Sequence, residues 1–126
     1  MKAASILPDT EILGLSADSR AVRPGFLFAA IPGTRDDGRR YIDQAIARGA
    51  VAVLAPPSVR AALIDAGAHL VTDPNPRRRL ALMAARFNDA QPDTIVAVTG
   101  TNGKTSVASF VGQLWTGLGA RAAVVG

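Results

Sequence analysis

Seven consecutive residues, Gly100-Thr101-Asn102-Gly103-Lys104-Thr105-Ser106, place two glycines, a lysine and three hydroxyls in one short stretch. Glycines let successive backbone N–H groups converge on a concavity that suits phosphate oxygens. A lysine directly after the second glycine neutralises terminal phosphates, and the hydroxyl that follows is a Mg²⁺ donor. A nucleoside triphosphate is the ligand such a group would take. The common G-x-x-x-x-G-K-[ST] spacing needs glycine at position 98, which is Val98, so the glycines here are more closely spaced. The alternative is an ordinary strand-to-helix turn whose glycines serve backbone geometry alone. The flanks argue for phosphate. The apolar run Ile95-Val96-Ala97-Val98 leads in, and a helical pattern with Val107, Phe110, Val111 and Leu114 on one face leads out. Lys104 then stands at a helix N-terminus, where the dipole opposes a cation unless an anion is bound. In this reading the N–H groups from Thr101 to Thr105 surround the phosphates and Lys104 bridges the terminal ones as the catalytic cation. Thr105 is the metal ligand, and Ser106 is a secondary candidate or a helix-start residue. No Asp or Glu follows the loop, so no second acidic metal ligand is assigned.

The elements that must position this loop follow an alternating pattern. Ile12–Leu15 and Gly25–Ile31 read as strands, the second too continuous to have only one buried face. Pro24 and Gly25 make the turn before it, Pro32-Gly33 close it, and 34–38 form a polar loop. Ile42, Ala45 and Ile46 fall at helical spacing, with Gly49 as a left-handed cap. Val51–Leu54 reads as a buried strand, Pro57–Ala66 as a short helix stopped by Gly67, and Leu70-Val71 as a further strand. Leu80, Met83, Ala84 and Phe87 make an i, i+3, i+4, i+7 stripe. Strands alternating with helices predict β–α–β crossovers and a largely parallel sheet. The polar stretch 88–93, with Pro92, is the linker candidate. Beyond it the pattern restarts as strand 94–98, loop, helix with Gly117 and Gly119 as stops, and strand 122–125. The expectation is a small α/β domain over 1–88, and the opening β–α–β of a second over 89–126.

Composition narrows the function classes. The 126 residues carry 48% hydrophobic side chains, enough for a core, and a net charge of +4. Cysteine is absent, which excludes disulfides and thiolate metal sites. The lone histidine, His69, reads as a core or surface residue at the start of a strand. Arg77-Arg78-Arg79 opens a helical pattern without interleaved aromatics, so it reads as a solvated face or the neighbour of an anionic ligand, and no nucleic-acid partner is expected. Nothing resembles a signal peptide or a membrane span, so a cytoplasmic protein with no membrane partner is expected.

The segment Val98-Thr99-Gly100-Thr101-Asn102-Gly103-Lys104-Thr105-Ser106 resembles the ATP loop of the Mur ligases and their folylpolyglutamate synthetase relatives, which use this shorter glycine spacing. A second block runs from Ala17-Asp18-Ser19-Arg20 through Gly25 and Gly33 to Gly38. It continues with Tyr41-Ile42, Gln44-Ala45-Ile46 and Arg48-Gly49-Ala50. This block is similar to the uridine-binding domain of the Mur ligase branch that extends UDP-N-acetylmuramoyl-L-alanyl-D-glutamate by a third amino acid. The pair Thr101-Asn102 favours that branch over the one that performs the last addition in the same pathway. The resemblance implies a uridine-diphosphate-binding α/β domain followed by a P-loop ATP-binding domain, with ATP and Mg²⁺ as cofactors. It implies an amide ligase working through an acyl phosphate, with the UDP-N-acetylmuramoyl-dipeptide and an amino acid, meso-diaminopimelate or L-lysine, as substrates. By the same resemblance Ala17, Ser19, Thr34, Arg35 and Asp36 contact the uridine diphosphate end, Arg35 meeting the diphosphate. Read from the residues alone, Ser19 is a local turn hydrogen bond and Arg35 a solvated loop charge. The family's remaining catalytic and metal residues have no counterparts here, so the chain is expected to be an N-terminal part, inactive alone, that binds UDP-sugars but binds ATP weakly. Asp73-Pro74-Asn75-Pro76-Arg77 superficially resembles a diaminopimelate-specificity signature from a different domain of the family and carries no specificity information here. The alternatives are a self-contained nucleotide- or UDP-sugar-binding module, and a ligase of the last-addition or folylpolyglutamate type.

Overall fold

Residues 26–30 and 52–55 are apolar without interruption, and all but Phe26 are buried, which requires cover on both faces of the sheet they form. The computed structural model describes residues 4–61, 67–88, 90 and 92–125. Its elements are β1 (Ala4–Leu7), β2 (Thr10–Ile12), β3 (Gly14–Ser16), β4 (Phe26–Ala29), α1 (Ile42–Ala47), β5 (Ala52–Ala55), β6 (His69–Thr72), α2 (Pro76–Asn88) and α3 (Lys104–Gly117), with 3₁₀ turns at Ser19–Ala21 and Gly38–Tyr41. The chain divides into two compact units, Met1–Gln91 and Pro92–Gly126.

In the first unit β3-β4-β5-β6 form a parallel sheet in sequence order, with Ser16 opposite Phe28, Ala29 opposite Leu54 and Ala55 opposite Thr72. The period of two sorts the strands into two cores. Phe28, Ala30, Val53 and Ala55 pack with Val22, Val59 and the inward residues Ile42 and Ala45 of α1. Leu27, Ala29, Ala52 and Leu54 pack with Ile12 and with Met83 of α2, flanked by Leu80. Gly49 ends the segment after α1 at φ +98°, and its carbonyl accepts from the Gly25 N–H at 3.0 Å. At the start of α2 Pro76 has no N–H to lose, Asn75 Oδ1 accepts from the Arg78 N–H, and Asp73 Oδ1 accepts from the Asn75 N–H. The Asp-Pro-Asn-Pro stretch is thus a helix cap. His69 lies on β6, solvent-exposed.

Two expectations change, and a third falls largely outside the described residues. The apolar run Ile12–Leu15 is two strands: β2 pairs antiparallel with β1, which the sequence reading missed, and β3 enters the parallel sheet. The break falls at Leu13, whose N–H bonds the Gly25 carbonyl and whose side chain faces solvent. Of the short helix expected over 57–66, residues 62–66 lie outside the described residues. In the second unit, strands were expected at 94–98 and 122–125, but among the described residues neither segment is hydrogen-bonded into a ladder, and α3 is the sole regular element. Branched apolar residues favour extended backbone, but a strand needs a neighbour to satisfy its N–H and C=O groups. No helix among the described residues is long and apolar enough to cross a membrane.

Candidate functional site

Parallel strands expose their C-terminal ends on one edge of the sheet, where open α/β sheets hold ligands. Two loops leave that edge side by side, 17–25 after β3 and 30–41 after β4. Each is organised by the same device. Asp18 Oδ1 accepts from the Arg20 N–H at 2.9 Å, and the Arg20 side chain folds back, its Nε at 3.0 Å from Oδ1 and its Nη2 at 2.9 Å from Oδ2. Asp37 Oδ1 likewise accepts from the Arg39 N–H at 3.0 Å and from Arg39 Nε at 2.9 Å. Both aspartates cap 3₁₀ turns. The guanidinium hydrogen bonds hold both carboxyls below their ordinary range, and each paired arginine is raised in turn.

The second loop is closed at its base, where the Gly38 N–H donates to the Ile31 carbonyl at 3.0 Å. A Cβ on Gly33 would occupy the space of the Asp36 carbonyl oxygen, so glycine is required for that reversal. Asp36 Oδ1 accepts from the Tyr41 hydroxyl at 3.0 Å, and this carboxylate raises the Tyr41 phenol.

The predicted substrate residues therefore share one sheet edge, in three different states. Ala17, Thr34 and Arg35 are exposed, and Arg35 makes no hydrogen bond or ion pair among the described residues. Asp36 is held by Tyr41. Ser19 is only 6% exposed, and its Oγ donates to Gln44 Oε1 at 2.6 Å. The bond expected for Ser19 from the residues alone was local; the one observed reaches a helix 25 residues away. Sequence reasoning assigned no role to Asp18, Arg20, Asp37, Arg39, Tyr41 or Gln44. The repeated Asp-x-Arg was the signal available for the first four.

In the second unit Gly103 adopts φ +75° and ψ 7° as the residue preceding α3, and a Cβ there would meet nothing within 4 Å. The left-handed backbone, and not crowding, makes glycine necessary. No side chain caps α3, and its first turn holds no acid. The N–H groups of Lys104, Thr105 and Ser106 precede the first intrahelical bond, which runs from the Val107 N–H to the Gly103 carbonyl at 3.0 Å. Such an end fits an anion, and the Lys104 side chain, free of any ion pair among the described residues, stands beside it. Gly100, Thr101 and Asn102 form the exposed turn before it. Thr105 supplies one hydroxyl, and the described residues hold no cluster of three or more metal-binding side chains.

A family model described as "Mur ligase family, catalytic domain" matches residues 11–88. The UDP-N-acetylmuramoyl-L-alanyl-D-glutamate–2,6-diaminopimelate ligases of Bradyrhizobium diazoefficiens and Agrobacterium fabrum are 51% identical over 119 residues and 53% identical over 116. Each alignment covers 92% of this chain and 23% of the relative, so the chain spans about a quarter of the length of these relatives. Among solved structures, a MurF from Acinetobacter baumannii aligns with TM-score 0.70 at 26% identity, over 89% of this chain and 24% of that one. A UDP-N-acetylmuramoyl-L-alanyl-D-glutamate–2,6-diaminopimelate ligase aligns over 100% of this chain and 26% of its own, with TM-score 0.64 and 28% identity.

Proposed function

The chain belongs to the Mur ligase family, and on that premise we propose that it forms the part of a ligase that grips the uridine diphosphate end of UDP-N-acetylmuramoyl-L-alanyl-D-glutamate and opens the ATP site, the whole ligase adding 2,6-diaminopimelate. The observation that carries this reading is the identity of about half, across nine tenths of the chain, to ligases of that name. Residues 1–88 are the substrate domain in this scheme, and 89–126 begin the P-loop ATP-binding domain. ATP with Mg²⁺ supplies the phosphoryl group that activates the substrate carboxylate, so that an amine displaces phosphate and an amide forms.

This chain's residues have separate tasks. Arg35, exposed and without a partner among the described residues, takes the diphosphate. Ala17 and Ser19 on one loop, and Thr34 and Asp36 on the other, frame the uridine. The N–H groups from Thr101 to Thr105 surround phosphate oxygens, a reading supported by the left-handed backbone of Gly103 before α3. Lys104 offsets charge that develops during phosphoryl transfer, and Thr105 is a metal donor.

Two measurements test the reading. Calorimetry should detect UDP binding to the 126-residue chain, weakened about tenfold or more in Arg35→Ala, as expected for loss of a charge-assisted hydrogen bond. Absence of UDP binding contradicts the substrate assignment. A chimera joining this chain to the remaining domains of the Agrobacterium fabrum relative should release phosphate from ATP only when the dipeptide precursor and diaminopimelate are both present. Lys104→Ala should lower that rate by about a hundredfold or more. Equal turnover by the Lys104 variant would remove the loop from the mechanism.

A further inference from the structure

We propose that Tyr41 and Gln44 are positioning residues that set the gap between the two substrate-facing loops, and that Gln44 leaves Ser19 able only to accept a hydrogen bond from its ligand. The inference rests on the reading that a uridine diphosphate end docks on this sheet edge.

Gln44 lies three positions after Tyr41, which places them on one face of the segment formed by the 3₁₀ turn and α1. Ile42 and Ala45, interleaved with them, are buried in the core beneath. The segment is thereby anchored through one pair and holds the loops through the other. The Tyr41 hydroxyl donates to Asp36 of the loop after β4, and Gln44 Oε1 accepts from Ser19 of the loop after β3. The last ladder pairs between these strands lie at Ser16 and Phe28, and beyond them no ladder bond fixes one loop against the other. A single rigid element contacting both fixes their spacing, which a ligand touching both requires.

The direction of the Ser19–Gln44 bond carries a chemical consequence. A serine hydroxyl has one proton and two lone pairs. At 2.6 Å the proton is committed to Gln44 Oε1, so Ser19 presents a ligand only with an acceptor. Uracil carries a donor at N3, whereas cytosine carries an acceptor at that atom. With Ser19 at the base edge, as the proposed framing of the uridine has it, the arrangement favours UDP over CDP.

The test is calorimetry of UDP and CDP on the 126-residue chain and three variants, with melting temperatures measured in parallel. Gln44→Leu should weaken UDP about fivefold and narrow the UDP-to-CDP ratio, because the freed hydroxyl then donates to cytosine. Gln44→Glu, whose carboxylate only accepts, should preserve the UDP-to-CDP ratio, because repulsion between the new carboxylate and the diphosphate acts on both nucleotides alike. Tyr41→Phe should weaken UDP about fivefold with the ratio unchanged, since it acts through the other loop. A merely structural role for Gln44 would weaken both nucleotides in proportion, and one for Tyr41 would lower the melting temperature along with the affinity, whereas positioning by Tyr41 leaves the melting temperature within about 2 °C of the parent. If the parent binds UDP and Gln44→Leu or Tyr41→Phe binds it equally well, the positioning role is refuted while the substrate reading stands. A UDP-to-CDP ratio as narrow in Gln44→Glu as in Gln44→Leu would reverse the assigned direction of the bond and refute the acceptor role. If the parent itself fails to bind UDP, the substrate reading falls and the inference with it.

Discussion

Replacing Gly38 with alanine adds one methyl group where only backbone surrounds it. The new Cβ would lie 2.8 Å from Ile31 N, 2.9 Å from Ile31 O and 3.2 Å from the Ala30 carbonyl carbon. Comfortable van der Waals contact begins near ~3.5 Å, so the neighbours must retreat by roughly half an ångström or more. They have little freedom to do so. The Ala30 N–H is bonded to the Leu54 carbonyl at 2.8 Å, Ile31 bonds back to Ala29 at 3.0 Å, and Ala30 is fully buried. Overpacking of this kind costs about 1–3 kcal/mol. Losing the Gly38–Ile31 hydrogen bond adds about 1 kcal/mol. Restricting the unfolded chain returns about 0.4–1 kcal/mol. The net expectation is destabilisation of about 1–3 kcal/mol. In a unit of this size that lowers the melting temperature by about 4–8 °C per kcal/mol. The control is Gly67→Ala, where an added Cβ meets nothing within 4 Å and the backbone is not left-handed; it should be neutral or slightly stabilising. Thermal and urea unfolding followed by circular dichroism read both. If Gly38→Ala melts within about 2 °C of Gly67→Ala, the pinned loop base described above is wrong.

The phenol of Tyr41, the chain's single tyrosine, ionises above its ordinary value of 10.0, because Asp36 accepts its proton and opposes a second negative charge. A raised folded-state value means that the stability from this contact is complete below pH 10 and is lost as pH climbs through the folded value. Tyrosinate absorbance should therefore titrate late, and in Asp36→Asn it should shift toward the ordinary value; an unshifted titration would contradict the contact. Asp18 and Asp37 behave oppositely: their depressed values keep the loop clamps intact above the ordinary 3.8 and release them only as pH falls below it, which carboxyl carbon NMR shifts should follow. In the cores Leu54→Ala, fully buried, should cost about 2–5 kcal/mol. Phe110→Ser on α3, with the phenyl 67% exposed, should leave unfolding within about 0.5 kcal/mol of the parent, and a larger loss would show that Phe110 packs against something.

What the sequence made readable depends on whether a residue answers to near neighbours or distant ones. The runs around Leu27 and Val53 announced a two-faced parallel sheet, because burial on both sides demands unbroken apolar residues, and those residues sit consecutively. Gly49 was legible for a related reason: a left-handed backbone is a local need that glycine meets. The split at Leu13 was not legible, since it depends on a carbonyl at Gly25 and on a first strand paired only with β2. The run Ile95–Val98 misled in the opposite direction, its side chains having strand character while no described neighbour completes its ladder. At the candidate site the same division holds. The proposed phosphate loop is one contiguous stretch, so its candidate chemistry is read from spacing. The proposed uridine edge draws on loops 15 residues apart or more and on a bond between Ser19 and Gln44 that local pattern does not encode. Local reasoning therefore favoured an adjacent partner for Ser19, whereas burial beside α1 gave its hydroxyl a distant one. A buried hydroxyl must find a partner somewhere, and the helix packed above it supplied the acceptor. The residue was recognisable before its environment was. The side of the hydrogen bond left for a ligand follows only from the packed fold.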